Sequence, residues 1–306
     1  MFANKFNTTL IIQGPVNLKS DDYVNDHTLN WVRTLPVAFK QFDKVILSSY
    51  ADDTLTTDDV KKRLADIFRS FFPDHKTLHF LQHQFVSDNF QIFLNAAPPP
   101  SSDDCYNYLN PDTTFYYACY TTFHGINKCT NPFFIKVRTD ECYQNYQPMI
   151  DAFNSNPHKF VCGNIFYKPL HASEGARPTP GHIGDHVFMG WTNTFHKVYS
   201  ALVSLYLKES LELLQVPIKM QTWWMMDKRY NKEPTPEKIL WKTWLWYMNI
   251  PSELWYEKDS KGEYPIAQTI EVVDINDMGF YIARWGHADM TFTSEGNPFI
   301  HKKYIR

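Results

Sequence analysis

The chain is poor in the features that usually identify a protein at a glance. It holds five cysteines, Cys105, Cys119, Cys129, Cys142 and Cys162, and no two of them form a CxxC pair. An odd number without paired spacing argues against a disulfide frame or a cysteine zinc site and predicts reduced thiols in a cytoplasmic protein. No window approaches the roughly 18 apolar residues needed to cross a bilayer, so any membrane contact is expected to be peripheral. The start of the chain lacks a basic segment followed by an apolar run and a cleavage site, and no signal peptide is expected. A formal net charge of −3 provides no basic field, and nucleic acid is not an expected partner. GxGxxG, P-loop, GxSxG and HExxH motifs are all missing, which removes the common dinucleotide and hydrolase templates. There are no internal repeats and no low-complexity tracts.

What the chain does have is aromatic side chains: 23 Phe, 18 Tyr and 9 Trp among 306 residues. They supply a large core. The Trp223–Trp224 pair and Trp285 have a second use open to them, stacking on sugar rings.

The periodicity alternates strands with helices over the first 170 residues. Thr8 to Val16 is a buried strand ending in a Gly-Pro turn. Behind it a helix carries Thr28, Trp31, Leu35 and Phe39 on one stripe, with Pro36 near its end. Lys44 to Ser49 is a short apolar strand. Thr56-Thr57-Asp58-Asp59 reads as a capping box before a helix bearing Val60, Leu64, Ile67, Phe68 and Phe71. His79 to Phe85 is a weaker strand candidate. Residues 96–112 are a Pro/Ser/Asp-rich loop. A helix with Phe115, Cys119, Thr122, Phe123 and Ile126 on one face leads into a strand at Phe133. Lys159 to Tyr167 is another strand and residues 170–184 are loop. A long helix is expected to follow directly, buried through Phe195, Val198, Tyr199, Leu202, Leu205 and Tyr206. Thr235-Pro236 opens a further helix holding Leu240, Trp244 and Met248. Strand character returns at Gln268 to Ile275 and Gly279 to Trp285. The pattern predicts an α/β fold, a mostly parallel Rossmann-type sheet with helices on both faces. Residues 1–306 read as one domain of two parts, 1–170 and 171–306.

The stretch Phe133 to Glu141 carries the most chemistry. Side chains alternate along a strand, so Ile135 and Val137 point one way and Lys136, Arg138 and Asp140 the other. Two cations and a carboxylate on one face of a central strand need partners. A diphosphate with Mg²⁺ or Mn²⁺ satisfies all three: Arg138 grips phosphate and Asp140 ligates the metal. The plain alternative is an internal Arg–Asp ion pair. Lys136 either joins the phosphate site or pairs with Glu141.

Ligands of open α/β sheets bind beyond the carboxyl ends of the strands. Four such ends carry polar residues: Gln13-Gly14-Pro15, Ser48-Ser49-Tyr50, Arg138-Thr139-Asp140 and Asn164. Their convergence predicts one cleft. Asp185, in His182-Ile183-Gly184-Asp185-His186, is either a helix cap or a general base for a sugar hydroxyl, with His186 supporting it. Glu237 suits a helix N-terminus and is also placed to hold acceptor hydroxyls. His287 either completes a metal shell or is an ordinary polar residue.

These segments resemble the WavE-type glycosyltransferases of lipopolysaccharide and other surface-glycan synthesis. The matching pieces are Ile11-Ile12-Gln13-Gly14-Pro15, Leu47-Ser48-Ser49-Tyr50, Lys136-Val137-Arg138-Thr139-Asp140, Gly184-Asp185-His186-Val187-Phe188-Met189-Gly190 and Pro236-Glu237-Lys238-Ile239-Leu240-Trp241, in that order. The resemblance implies a GT-A-like fold and transfer of a sugar from a nucleotide-sugar donor to a glycan acceptor. It sets Arg138-Thr139-Asp140 where such enzymes carry Asp-x-Asp, with arginine in place of the first aspartate. On that reading the donor lies over Gln13, Gly14, Pro15, Ser48, Ser49 and Tyr50, with its diphosphate at Lys136, Arg138 and Asp140. Asp140 and His287 would hold Mn²⁺ or Mg²⁺, and Asp185 and Glu237 would be catalytic. The other classes in view are a different nucleotide-using enzyme, such as a nucleotidyltransferase, and an inactive glycan-binding relative.

Overall fold

A computed structural model of the chain describes residues 6–18, 26–50, 57–85, 87–95, 113–164, 185–206, 236–250, 269–282, 290–291 and 300–301. Strand β1 (Phe6–Gln13) is buried on both sides. Leu10 and Ile12 enter one apolar cluster and Ile11 the other. That two-sided burial explains its unbroken apolar run and fixes it at the centre of a sheet. Strand β2 (Phe42–Tyr50) pairs parallel with β1, and β3 (Phe90–Asn95) pairs parallel with β2. On the other flank β4 (Phe133–Arg138) pairs parallel with β1. Beyond it come β7 (Phe188–Trp191), β6 (Phe160–Gly163) and β8 (Ile270–Val273). The seven-stranded order is β3-β2-β1-β4-β7-β6-β8. Within it β7 alone runs antiparallel to its neighbours.

Helices cover both faces. A 3-10 helix (His27–Thr34), α1 (Leu35–Gln41), α2 (Thr57–Phe71), α3 (His75–Phe85) and α5 (Gln147–Ser155) build the larger cluster. The helices α4 (Thr113–Ile126), α6 (Thr192–Tyr206) and α7 (Pro236–Tyr247) build the other. The α/β class and the two covered faces agree with the sequence reading. Short ribbons pair β5 (Glu141–Cys142) with β9 (Tyr281–Ile282) and β10 (Met290–Thr291) with β11 (Ile300–His301).

Four details differ from expectation. His79 to Phe85 is not a strand but the end of α3, which buries Leu81 at the core. The strand that pairs with β2 is the following segment, Phe90–Asn95. The helix read through Thr28 and Phe39 is two pieces, because Pro36 opens a new α-helix after the 3-10 turn. The long helix of Phe195 begins only at Thr192, with β7 between it and Asp185. Four residues are too few to show a period, so β7 is set by packing. Phe188 stacks on Phe195 at 5.1 Å and meets Phe134 and Phe160 edge-on or tilted at 5.8 and 5.6 Å. Each buried phenylalanine contributes about 1.5–3 kcal/mol.

Candidate active site at the carboxyl ends of the strands

The strand order reverses direction between β1 and β4: β2 and β3 lie to one side of β1, and β4 starts the other side. Such a switch point opens a crevice at the carboxyl ends of the strands. The residues facing each other there are Gln13 and Arg138, with Ser48 on the other flank of Gln13. The chain leaves both strands tightly. Thr139 N–H donates to the Gln13 carbonyl at 2.9 Å, and Thr139 Oγ1 donates to the Pro15 carbonyl at 2.9 Å. Gly14 sits at φ +133°, and a Cβ on it would fall 2.6 Å from Thr139 Oγ1. Only glycine suits that crossing.

Gln13, Ser48 and Ser49 are buried. Thr121 Oγ1 of α4 donates to Gln13 Oε1 at 2.9 Å, and Ser48 Oγ donates to the Thr121 carbonyl at 2.7 Å. Asn95, at the end of β3, donates to Ser48 Oγ and to the Ser49 carbonyl. Gly125 lets α4 approach this closely, since a Cβ there would meet Ile11 at 2.7 Å. The polar ends of β1 and β2 therefore seat α4. At the surface the same ends offer exposed Pro15 and half-buried Tyr50, whose ring stacks on Tyr117 at 5.0 Å. At the same edge of the sheet, where the Gly163 N–H donates to the Val187 carbonyl at 2.9 Å, β6 leads into Asn164. Its amide N–H donates to the Val273 carbonyl and its Oδ1 accepts from Ile275 N–H, which fixes the exit of β8.

The charged stretch behaves as strand alternation requires. Ile135 and Val137 enter the larger cluster, and Lys136 lies over the Phe188 ring at 5.5 Å on the other face. Arg138 and Asp140 are paired with each other. Nε donates to Oδ1 at 3.0 Å and Nη2 to Oδ2 at 3.2 Å, a two-toothed contact. Their side chains are 26% and 10% exposed, so the pair is only partly buried. The opposing carboxylates hold Arg138 above the ordinary arginine range against the cost of its burial.

A further acid, read from the sequence only as a partner for Lys136, closes the cluster. Glu141 has a fully buried side chain. Its Oε1 pairs with His186 Nδ1 and lies 3.7 Å from Arg138 Nε, while its Oε2 accepts from Tyr143 O–H at 3.0 Å. Burial and the neighbouring Glu141 charge push the Tyr143 phenol well above its usual value. Lys136 is 2% exposed and donates from Nζ to the backbone carbonyl of Asp185 at 2.5 Å. Burial pulls Lys136 down, and the Asp185 carboxylate opposes that most among its neighbours. So Lys136 does not pair with Glu141; it holds the chain entering β7. Asp185 itself is half-buried, and with no helix starting nearby it is not a cap.

Lys136, Arg138, Asp140, Glu141, Asp185 and His186 thus meet at one place, drawn from β4, the turn after it, β5 and the approach to β7. Glu237 lies in the first turn of α7, but its side chain is outside the described residues. His182, Trp223, Trp224, Trp285 and His287 are outside them too. Both Asp140 oxygens already face Arg138, and among the described residues no group of three or more His, Cys, Asp or Glu side chains could hold a metal. A cavity of about 740 Å³ lies elsewhere, and its described lining is Arg33, Pro36, Phe72, Cys142, Gln144, Gly279 and Phe280. Among the described residues no helix is long and apolar enough to cross a membrane.

No family model matches the chain, and no curated protein matches it. Solved structures do show a distant likeness. TarS of S. aureus is 7% identical with a TM-score of 0.37, over 78% of this chain and 33% of TarS. UDP-glucose pyrophosphorylase of Acinetobacter baumanii is 8% identical with a TM-score of 0.37, over 68% of this chain and 82% of that one. HddC of Yersinia pseudotuberculosis is 10% identical with a TM-score of 0.34, over 62% and 78%. The chain spans about a third of the length of TarS.

Proposed function

We propose that the protein is a glycosyltransferase that moves a sugar from a nucleotide-sugar donor to a glycan hydroxyl, in surface-glycan or lipopolysaccharide-type synthesis. The observation that carries this reading is the position of Arg138. It stands at the switch point of the sheet, directly opposite Gln13, with about a quarter of its side chain exposed. A guanidinium at that point is suited to a diphosphate. The donor nucleotide lies along the rim formed by Pro15 and Tyr50. Asp185 stands on the far side of Arg138, on the chain entering β7, and takes the acceptor proton. The acceptor oxygen attacks the anomeric carbon, and the bond from that carbon to the phosphate oxygen breaks. The diphosphate leaves with the bonding electrons, and Arg138 meets its charge. Glu237 is assigned to the acceptor hydroxyls.

Thermal-shift screening of nucleotide-sugars, followed by product analysis with a glycan acceptor, tests the proposal. Binding to the folded state raises its melting temperature by mass action. A responding donor that yields nucleoside diphosphate and a lengthened glycan supports it. Release of pyrophosphate would instead assign a nucleotidyltransferase, and sugar binding indifferent to Arg138→Ala would assign a glycan-binding protein.

A further inference from the structure

Two buried charged side chains converge on two consecutive residues. From β4, Lys136 Nζ donates to the backbone carbonyl of Asp185. From β5, Glu141 holds the Nδ1 of His186. Lys136 is 2% exposed and the Glu141 side chain is fully buried. Burying ionic groups is costly, and well-packed apolar residues of similar size generally serve stability as well or better. Here each charge is matched by further contacts: Lys136 by the Phe188 ring at 5.5 Å, Glu141 by Tyr143 O–H at 3.0 Å. Both act on the same short segment, and that segment carries the half-buried Asp185.

We infer that Lys136 and Glu141 are positioning residues that clamp the 185–186 segment from two sides and so set the Asp185 carboxylate relative to Arg138. The inference rests on the reading of Asp185 as the group that takes the acceptor proton. It reassigns Lys136, which the sequence pattern grouped with the diphosphate. With its Nζ on a backbone carbonyl and almost no exposed surface, Lys136 contacts no donor. It also gives Glu141 a role: one carboxylate ties the phosphate-side arginine, 3.7 Å from its Oε1, to the acceptor-side segment. A side chain misplaced by about an ångström can cost on the order of a hundredfold in rate without loss of binding.

The test uses the full chain with Lys136→Met and Glu141→Gln, which preserve side-chain size and remove charge. Three quantities are read: melting temperature, amide hydrogen exchange at residues 185–187, and the split between kcat and donor KM. Both variants should melt near the wild type, while exchange at 185–187 rises about tenfold or more. In both, kcat should fall about tenfold or more and donor KM should stay within about threefold. Unchanged exchange and kcat would overturn the clamp. A raised donor KM with kcat intact would overturn it by returning Lys136 to the donor site. If neither variant folds, the two residues are structural and the inference fails. If the wild type transfers no sugar from any donor, the functional reading fails, and the exchange data alone still decide whether these residues hold the segment.

Discussion

Arg138 and Asp140 face each other through two parallel hydrogen bonds, Nε to Oδ1 at 3.0 Å and Nη2 to Oδ2 at 3.2 Å. On the proposed reading, a diphosphate arriving at the switch point competes with Asp140 for the guanidinium. Arg138→Ala should therefore weaken nucleoside-diphosphate binding about tenfold or more, the worth of a charge-assisted hydrogen bond at about 1.5–3 kcal/mol. Asp140→Asn should tighten binding several-fold in the presence of a chelator, because it removes the competitor. Isothermal titration checks both. Weaker, Mn²⁺-dependent binding by Asp140→Asn would support the metal role read from the sequence.

Asp185→Asn should leave donor binding nearly intact and lower transfer by about 10²–10⁴-fold, the range for a lost general base. Single-turnover kinetics with saturating donor measures it. Normal turnover in this variant would remove Asp185 from the reaction.

Gly14→Ala should destabilise the fold by at least about 1–3 kcal/mol. The new methyl would sit 2.6 Å from Thr139 Oγ1 at a φ of +133°, so both backbone and neighbour must shift. Urea unfolding reads the loss, and an unchanged midpoint would show that the two strand exits are not locked together as described.

Stability should fall as pH rises above about 9. Burial pushes the Cys129 thiol from 9.0 up to about 12 in the folded chain, and it pushes the Tyr199 and Tyr146 phenols well up. Below the unfolded values both states hold these protons and no stability is lost. Above them the unfolded chain ionises first, so stability drops until pH passes the folded values. Urea midpoints at pH 7 and at pH 10.5 should differ, with the higher pH less stable. Alkylation of Cys129 should stay slow in the folded chain for the same reason.

Much of this architecture was legible before folding. The two-sided apolar run of Leu10 to Ile12 marks a central strand, since only a strand covered on both faces hides every side chain. The helix faces of Val60, Leu64, Ile67 and Phe68, and of Phe195, Val198, Tyr199 and Leu202, repeat at helical spacing, and both are buried. Strand alternation correctly separated Lys136 from Ile135 and Val137. Residues 79–85 misled because apolar residues over a short span suit a strand as well as a helix, and packing of Leu81 decides between them.

The sequence by itself determined the alternation of strands and helices, the central place of β1 and the stretch where charge is concentrated. Each follows from local periodicity and the cost of leaving apolar side chains in water. Tertiary structure decided how that charge is shared. Arg138 turned to Asp140, Glu141 reached His186 across 45 residues, and Lys136 crossed 49 residues to the Asp185 carbonyl. The partners of Glu141 and Lys136 arrive only when the antiparallel β7 docks beside β4, and no local pattern encodes which distant groups will then lie within hydrogen-bond reach.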